Sequence, residues 1–393
     1  AQLLEETGEL DQSITFYKIS IKGNSRYLPP INNLGRIYSS KGFYEQALKV
    51  FTKGLKICAD SPEIKNGSST FYYNVGALFV LRREFNLAKS YFSQAIESDA
   101  TFADAIAKKL YMNQIMSCWV ENDPTIAEIS QLGVNSTSVD PIALQILEDH
   151  PERQLIRASK YALENYNVDP IPLAHKPKSE NDKLRIGYFS ADFQEHPVSH
   201  QLARVLALHD RSKIEVYAYS FGQADDDMRK RIIDSVDHFK DVTNLSDKDV
   251  ALLAREDKID IAIDLMGYTG GSRPQIFAHR AAPIQIHLFG GTTGAQFIDY
   301  VIADHTVIPD RLRQYYQEKI IYLPHSYMPT DNTLEISDTI MTRQDMGLPE
   351  DGFVFCCFNN NYKITPCEFD IWMRLLTKVE GSVLWLKKAN QWA

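Results

Sequence analysis

The sequence predicts an α/β protein with an N-terminal all-α part: a helical repeat array, a Rossmann-like lobe and the start of a second such lobe. A pattern of small and aromatic residues recurs within the first hundred positions. Proline and charge then interrupt the chain before residue 183, and short apolar runs alternate with helix-like segments after it. Such alternation is typical of a parallel sheet. The 393 residues are enough for two or three domains.

The repeat is recognised from two glycines, Gly35 and Gly76. After each one, an aromatic residue follows at the third position, Ala at the twelfth, Phe at the sixteenth and a small residue at the nineteenth. These are the offsets of a tetratricopeptide repeat, in which small residues lie where two paired helices touch. Tyr17 belongs to an incomplete earlier unit and precedes Phe51 by 34 residues, which is the period of this repeat.

We therefore predict tetratricopeptide repeats over residues 1–105, with antiparallel helix pairs at about 28–57 and 69–98. Fewer than three whole units are seldom stable alone, so we expect further repeats before Ala1. Arrays of this kind form a concave surface that binds peptides or partner proteins.

A helical linker is predicted for residues 106–182. Apolar residues at three- and four-residue spacing indicate helices over Ala103–Trp119 and Pro151–Asn165. A stretch rich in proline and charge, from Asp169 to Asp182, is incompatible with a helix or an interior strand. This stretch therefore marks the end of the linker.

The rest of the chain has the pattern of strands spaced by helices. We predict one complete Rossmann-like lobe over residues 183–348 and the start of a second lobe over 349–393. The predicted strands are Leu184–Ser190, Ile214–Ser220, Ile259–Leu265, Ile284–Leu288, Tyr300–Ala303, Phe353–Phe358 and Ser382–Leu386. The predicted helices are Pro197–His209, Asp226–Phe239, Asp247–Asp257, Arg273–Arg280 and Pro366–Lys378. Neither GxGxxG nor GxxxxGK[ST] follows the first strand, so a dinucleotide site and a P-loop are both disfavoured.

Composition excludes several classes of partner. The net charge of −9 disfavours a nucleic-acid binder and a polybasic membrane binder. No run approaches the ~20 apolar residues of a membrane helix, and the first residues do not resemble a signal peptide. The five cysteines have no framework spacing, which indicates free thiols in a reducing compartment. We expect a cytoplasmic protein that binds neither nucleic acid nor membrane.

In a doubly wound fold, ligands bind beyond the carboxyl ends of the strands, and His196 lies at such a position. It follows the first strand and directly precedes Pro197, the predicted first residue of a helix. A histidine there can orient or deprotonate an acceptor hydroxyl. The alternative is a histidine that only caps the helix. His200, four residues on, has a spacing that can bind zinc, but no third ligand is near in sequence, so no metal site is predicted.

Two glycine-rich loops follow later strands. The first, Met266–Arg273, includes Thr269, and the second, Phe289–Gly294, includes Gly291 and Thr292. Glycines let the backbone approach a ligand, and the hydroxyls offer hydrogen-bond donors to it. The alternative is a pair of turns that need positive φ angles.

Lys363 lies just before a predicted helix N-terminus. Thr365 and Glu368 form a capping-box pattern, with Pro366 at the first helical position. A fixed cation beside the positive end of a helix suits a diphosphate leaving group. The alternative is a lysine on a solvated loop.

These motifs, in this order after tetratricopeptide repeats, resemble glycosyltransferase family 41. They read RIGYFSADFQEHPVSH, DLMGYTGGSR, APIQI, GTTGAQFIDYVIAD, EKIIYLPHSY and FCCFNNNYKITP. The resemblance covers essentially the whole chain. It implies a GT-B fold, in which a nucleotide-sugar lies between two Rossmann-like lobes, and a metal-independent, inverting transfer to Ser or Thr hydroxyls of proteins. The donor it implies is UDP-GlcNAc or another nucleotide-sugar, with no further cofactor.

By resemblance, His196 matches the family's active-site histidine and Lys363 the lysine that neutralises the nucleotide diphosphate. Thr269 falls in the loop that lines the sugar site. The run from Asn359 through Asn360 to Tyr362 lies where the family contacts the nucleotide.

Two departures from the family pattern concern the site. The family usually has Trp-Leu-Gly-aromatic-Pro-Gly-Thr where this chain has the shorter run from His287 to Thr292, without Trp or Pro. The chain also ends before most of the C-terminal lobe, so we expect this fragment alone to be inactive.

Three alternatives to transfer of GlcNAc stay open. The first is O-fucosyl transfer from GDP-fucose. The second is a non-catalytic repeat scaffold with a degenerate transferase lobe. The third is glucose transfer to Asn, against which the repeats argue.

Overall fold

A computed structural model describes residues 10–61, 67–119, 128–172 and 182–392, together with Ala1 and Leu4. Its N-terminal part is a helical array, and its C-terminal part contains a parallel sheet of seven strands followed by a separate two-stranded sheet. The predicted fold class is therefore confirmed. Among the described residues, no helix has both the length and the apolar content that crossing a membrane requires.

The N-terminal array consists of helices that pack on their neighbours in chain order. They are α1 (Leu10–Gly23), α2 (Leu28–Ser40), α3 (Tyr44–Ala59), α4 (Ser68–Leu81), α5 (Phe85–Ser98) and α6 (Ala103–Ile115). The predicted pairs at 28–57 and 69–98 are the α2–α3 and α4–α5 pairs. A Cβ placed on Gly76 would lie 2.7 Å from the ring of Phe92, so the small residue is needed where the helices touch.

The linker region contains two further helices, α7 (Pro141–Gln145) and α8 (Pro151–Asn165). The predicted helix from Ala103 ends at Ile115 rather than Trp119, because Ser117 has a φ of +51° and the chain turns there. Most of the proline-rich stretch from 169 to 182 lies outside the described residues.

The seven-stranded sheet is parallel throughout, with the strand order β3-β2-β1-β4-β5-β6-β7. Its strands are β1 (Leu184–Ser190), β2 (Ile214–Ser220), β3 (His238–Asp241), β4 (Ile261–Asp264), β5 (Ile284–His287), β6 (Tyr300–Ala303) and β7 (Lys319–Tyr322). The helices between these strands are α9 (Pro197–Leu208), α10 (Asp227–Asp234), α11 (Asp247–Glu256) and α12 (Gln275–Ala278). The edge strands β3 and β7 were not predicted. The helix predicted over Asp226–Phe239 ends at Asp234 because β3 follows it.

Strands β1 and β4 are the central neighbours of this sheet. From β1 the chain first extends to β2 and β3 on one side, then returns to β4 on the other. In doubly wound sheets, this reversal opens a crevice at the carboxyl ends of the strands. Apolar clusters cover both faces: Phe189 stacks on Tyr219 in one cluster, and Leu202 and Ile232 lie in the other.

The last part of the chain forms a two-stranded parallel sheet, β8 (Val354–Cys357) and β9 (Val383–Leu386), with α13 (Pro366–Lys378) between them. The predicted capping box is present: the backbone N–H of Thr365 donates to the Glu368 carboxylate, with an N–O distance of 3.1 Å.

Candidate functional site

The loops that leave β1, β4 and β5 meet at the carboxyl edge of the sheet. The backbone N–H of Ala191, after β1, lies 3.1 Å from the sulfur of Met266, after β4. The hydroxyl of Tyr268 donates to the carbonyl of Thr293, after β5, at 2.6 Å. Three exit loops therefore border one crevice, as the strand order requires.

His196 lies at the N-cap of α9, on the first of these loops. Its side chain is 39% exposed, and Nδ1 lies 3.3 Å from the N–H of Val198 and 3.5 Å from Oδ2 of Asp192. Capping the Val198 N–H needs a lone pair on Nδ1, whereas donation to Asp192 needs a proton there. The second tautomer leaves the lone pair on Nε2, which is the form that can accept a proton from a ligand.

In the structure the Val198 N–H donates to Nδ1, as in the capping alternative, and Asp192 is the neighbour that favours the other tautomer. Partial burial raises the pKa of the Asp192 carboxyl, and the positive charge of His196 opposes that shift. A carboxylate beside Nδ1 orients the ring and favours a proton on that nitrogen. His200, which the spacing pairs with His196, instead contacts Glu195, with 2.6 Å between Nε2 and Oε1.

Asp264, the last residue of β4, joins two of the exit loops. Its carboxylate accepts the N–H groups of Met266 and Gly267 in the loop after β4. It also accepts from Nδ1 of His287, the last residue of β5, at 3.0 Å. Burial by itself lowers the pKa of His287, but the hydrogen bond and charge of Asp264, with the charge of Glu318, raise it above its usual value.

Glu318 binds the second glycine-rich loop, Phe289–Gly294, through hydrogen bonds. Its carboxylate accepts the hydroxyl of Thr292, with 2.7 Å between the oxygens, and also the hydroxyl and N–H of Thr293. Thr292 is buried, and its hydroxyl has these internal partners. Gly291 lies beside the amide of Gln145. The prediction that Gly291 and Thr292 contact a nucleotide-sugar stays a prediction.

Thr269 is exposed in the loop after β4, and the prediction that this loop lines the sugar site stays a prediction. The hydroxyl of Thr269 donates to the carbonyl of Met266 at 2.9 Å, which closes a turn. Gly267 and Gly271 have φ angles of +57° and +81°, which glycine adopts without strain, so both occupy turns that need a positive φ.

Lys363 ends a short 3₁₀ turn, Asn361–Lys363, between β8 and α13. Its side chain is exposed, and among the described residues its ammonium has no hydrogen-bond or ion-pair partner. Asn359 and Asn360 are also exposed, while Tyr362 is half-buried with its ring 6.2 Å from that of Tyr111.

The predicted site residues fall into two groups by the loops that carry them. His196 and Thr269, with the loop of Gly291 and Thr292, border the crevice of the seven-stranded sheet. The segment 359–363 instead contacts α6, through hydrogen bonds from Gln114 and to Ile115. Within the described ranges, no hydrogen bond, ion pair or ring contact joins the two groups.

Sequence reasoning missed three acidic residues of this region: Asp192, Asp264 and Glu318. Asp264 could have been found, because it ends an apolar strand at the edge where ligands bind. Glu318 carries no such signal, since its role depends on a loop 25 residues earlier in the chain. In the part of the chain that the structure describes, no group of three or more His, Cys, Asp or Glu side chains could hold a metal ion.

Comparison with known proteins identifies the family. The sequence model described as "Glycosyl transferase family 41" matches residues 149–336 and 330–391, more than half of the chain. The chain belongs to glycosyl transferase family 41. A tetratricopeptide repeat model matches residues 29–61, which contain most of α2 and α3.

Curated relatives of this family 41 chain bear related names. It is 36% identical over 302 residues to an Arabidopsis thaliana protein named "Probable UDP-N-acetylglucosamine--peptide N-acetylglucosaminyltransferase SEC", which covers 70% of this chain and 31% of the relative. It is 26% identical over 366 residues to the Caenorhabditis elegans UDP-N-acetylglucosamine--peptide N-acetylglucosaminyltransferase, covering 64% of this chain and 30% of that one. The chain thus spans about a third of the length of these relatives.

One solved structure resembles nearly the whole of this family 41 chain. It is a lysine-to-methionine mutant of the Thermobaculum terrenum O-GlcNAc transferase, with 25% identity and a TM-score of 0.57. The match covers 98% of this chain and 66% of that one. The similarity therefore extends from the helical array through the sheet to the start of the second lobe.

Proposed function

We propose that this chain is part of a protein O-glycosyltransferase that transfers GlcNAc from UDP-GlcNAc to Ser or Thr hydroxyls of proteins, with inversion. Membership of family 41 carries this proposal, together with relatives whose names specify UDP-N-acetylglucosamine as donor and a peptide as acceptor. The domain limits that we propose are 1–105 for the repeats, 106–182 for the linker, 183–348 for the first lobe and 349–393 for the start of the second.

The crevice residues would serve the acceptor. In the reaction, a Ser or Thr oxygen bonds to the anomeric carbon, the bond from that carbon to the diphosphate breaks, and the hydroxyl proton leaves. His196 receives this proton on Nε2, provided that Nδ1 donates to Asp192, 3.5 Å away. Thr269 lies on the neighbouring loop, where its backbone borders the sugar.

The second group of residues would serve the donor. Lys363 supplies the positive charge for the leaving diphosphate, and its backbone lies just before the N-terminus of α13, whose positive end also favours an anion. Asn359, Asn360 and Tyr362 contact the nucleotide from the same loop. Because a lysine supplies the cation, we propose that the reaction needs no metal ion.

The repeats would bind the acceptor protein. A groove of about 390 Å³ opens in the array, between α1, α2 and α4, and its lining includes Arg36, Asn74 and Leu78. The amide of Asn74 donates to the side chain of Asn32 at 2.6 Å, which orients the Asn74 side chain at the groove. We propose that acceptor polypeptides lie on this surface.

The proposal is tested with the full-length protein, a peptide acceptor and a panel of nucleotide-sugars, in the presence and absence of EDTA. We expect transfer from UDP-GlcNAc, at a rate that EDTA does not change. Preference for GDP-fucose would replace the donor in this proposal. Absence of transfer and of donor hydrolysis with every nucleotide-sugar would favour the non-catalytic scaffold.

A further inference from the structure

The side chain of Gln114 links the helical array to the loop that carries Lys363. Gln114 is the penultimate residue of α6 and is 6% exposed. Its Nε2 lies 3.0 Å from the carbonyl oxygen of Tyr362 and 2.8 Å from that of Ile364. These carbonyls belong to the residues immediately before and after Lys363.

The two carbonyls determine the orientation of the Gln114 side-chain amide. A carbonyl oxygen can only accept, so the amide nitrogen of Gln114 must face both carbonyls and give one hydrogen to each. The bond to Ile364 is buried and the bond to Tyr362 is partly buried, and a buried acceptor without a donor is unfavourable. The backbone on each side of Lys363 is therefore tied to one rigid group.

A second contact runs in the opposite direction. Asn361, also 6% exposed, donates from Nδ2 to the carbonyl of Ile115 and lies 3.1 Å from the hydroxyl oxygen of Ser117. The end of α6 and the 3₁₀ turn of Lys363 thus exchange side-chain hydrogen bonds. The exposed side chain of Lys363 has no such support of its own, so its position depends on the backbone that Gln114 holds.

We propose that Gln114 is a positioning residue for Lys363. It fixes the backbone from which the ammonium reaches the leaving diphosphate, and it connects that site to the helical array. This inference rests on the proposed role of Lys363. A displacement of about 1 Å in a group that acts on the reacting atoms costs on the order of 100-fold in rate. Loss of the Gln114 bonds should therefore affect turnover more than acceptor binding.

The test uses the full-length protein with UDP-GlcNAc and a peptide acceptor. Gln114→Met keeps the length of the side chain and removes both donors. Gln114→Glu keeps the shape but presents carboxylate oxygens to the two carbonyls, and it provides a second variant should the first not fold. We expect kcat to fall by about 10- to 100-fold in each, with the acceptor KM within about twofold of wild type.

The matched control is Asn390→Ala. Asn390 donates to the carbonyl of Ile115 at 2.8 Å, so its removal weakens contact with the same end of α6 without freeing the carbonyls beside Lys363. We expect its kcat to stay within about twofold of wild type. Hydrogen exchange over residues 359–365 should accelerate in the Gln114 variants and change less in Asn390→Ala.

A double-mutant cycle separates positioning from general stability. If Gln114 acts through Lys363, Gln114→Met should cost almost nothing further in a Lys363→Met background. An equal fold loss in both backgrounds, or wild-type kcat in both Gln114 variants, would overturn the inference while leaving the proposed function intact. Wild-type turnover in Lys363→Met alone would instead overturn the assigned role of Lys363, and the role of Gln114 with it.

Discussion

The imidazole of His287 donates from Nδ1 to the carboxylate of Asp264, with 3.0 Å between Nδ1 and Oδ2, and both side chains are buried. The two residues are register partners at the ends of β4 and β5. The same carboxylate accepts two N–H groups of the loop after β4. A Cβ on Gly290 would lie 2.6 Å from Nε2 of His287, so the glycine loop passes directly over the ring.

This pair predicts a pH-dependent part of the stability. The pKa of His287 is raised, because Asp264 and Glu318 outweigh the effect of burial. The pair contributes its full stabilisation of the folded state at pH values below the unfolded-state pKa of His287, which is about 6.5. This contribution is lost as the pH rises through the higher pKa of the folded state. In His287→Gln, this contribution is absent. We expect the Tm difference between wild type and variant to shrink as pH rises from about 6 to 9. Parallel Tm curves would contradict this.

Position 294 has no room for a side chain, so we expect that only glycine fits there without loss of stability. The φ of Gly294 is +61°, and a Cβ there would collide with the backbone of α8 at Ala158 and Ser159. Gly294→Ala should destabilise the protein by roughly 2–4 kcal/mol, from backbone strain and overpacking together. Gly23→Ala is the matched control, because a Cβ at Gly23 meets nothing within 4 Å. Equal melting temperatures for the two variants would show that the loop can move away from α8.

Removal of the buried Arg157 side chain should lower the stability of the protein by breaking buried hydrogen bonds. Arg157 is fully buried in the linker region, donates to the carbonyls of Ile129 and Leu132, and pairs with Glu148 at 2.7 Å. Arg157→Met removes the donor to the buried carbonyl of Leu132 and one of the two arginines that pair with Glu148, and it should cost about 3–5 kcal/mol, measured by thermal or urea unfolding. Arg153 pairs with the same carboxylate from the surface. Arg153→Met should therefore cost much less, and a reversed order would contradict the account.

His196 and Asp192 predict a kinetic signature. If the proposed function holds, His196→Ala in the full-length protein should lower kcat far more than it lowers Tm, because the residue borders the crevice rather than the core. Asp192→Asn removes the carboxylate that favours a proton on Nδ1, so kcat should fall by less than in His196→Ala. The loss from Asp192→Asn should disappear in the His196→Ala background. An additive loss would show that Asp192 acts independently of His196.

Local patterns in the sequence were sufficient to predict most of the fold. The repeat offsets located α2 to α5, because Gly35 and Gly76 each have to face an aromatic ring of the paired helix. Continuous apolar runs predicted the central strands, which are covered on both faces. The edge strands β3 and β7 were missed because charged residues leave only short apolar runs in them, so their strand pairing depends on the neighbouring strand.

The candidate site could be predicted only in part. His196 and Lys363 stand out because a proline or a capping box marks the helix that follows each one. The contacts of Asp192 with His196 and of Gln114 with the backbone beside Lys363 could not be predicted from the sequence. Gln114 is 248 residues from Tyr362, and no periodicity connects positions that meet only after two domains pack together.

The most direct test of the account is the turnover of Lys363→Met in the full-length protein with UDP-GlcNAc. Charge develops on the diphosphate as the glycosidic bond breaks, and removal of one preorganised contact costs about 3–4 kcal/mol, or on the order of 10²–10³ in rate. We predict at least this loss of kcat with an unchanged melting curve. Lys363→Arg should restore only part of it, because a planar fork does not replace a compact charge. Wild-type turnover in Lys363→Met would contradict the account.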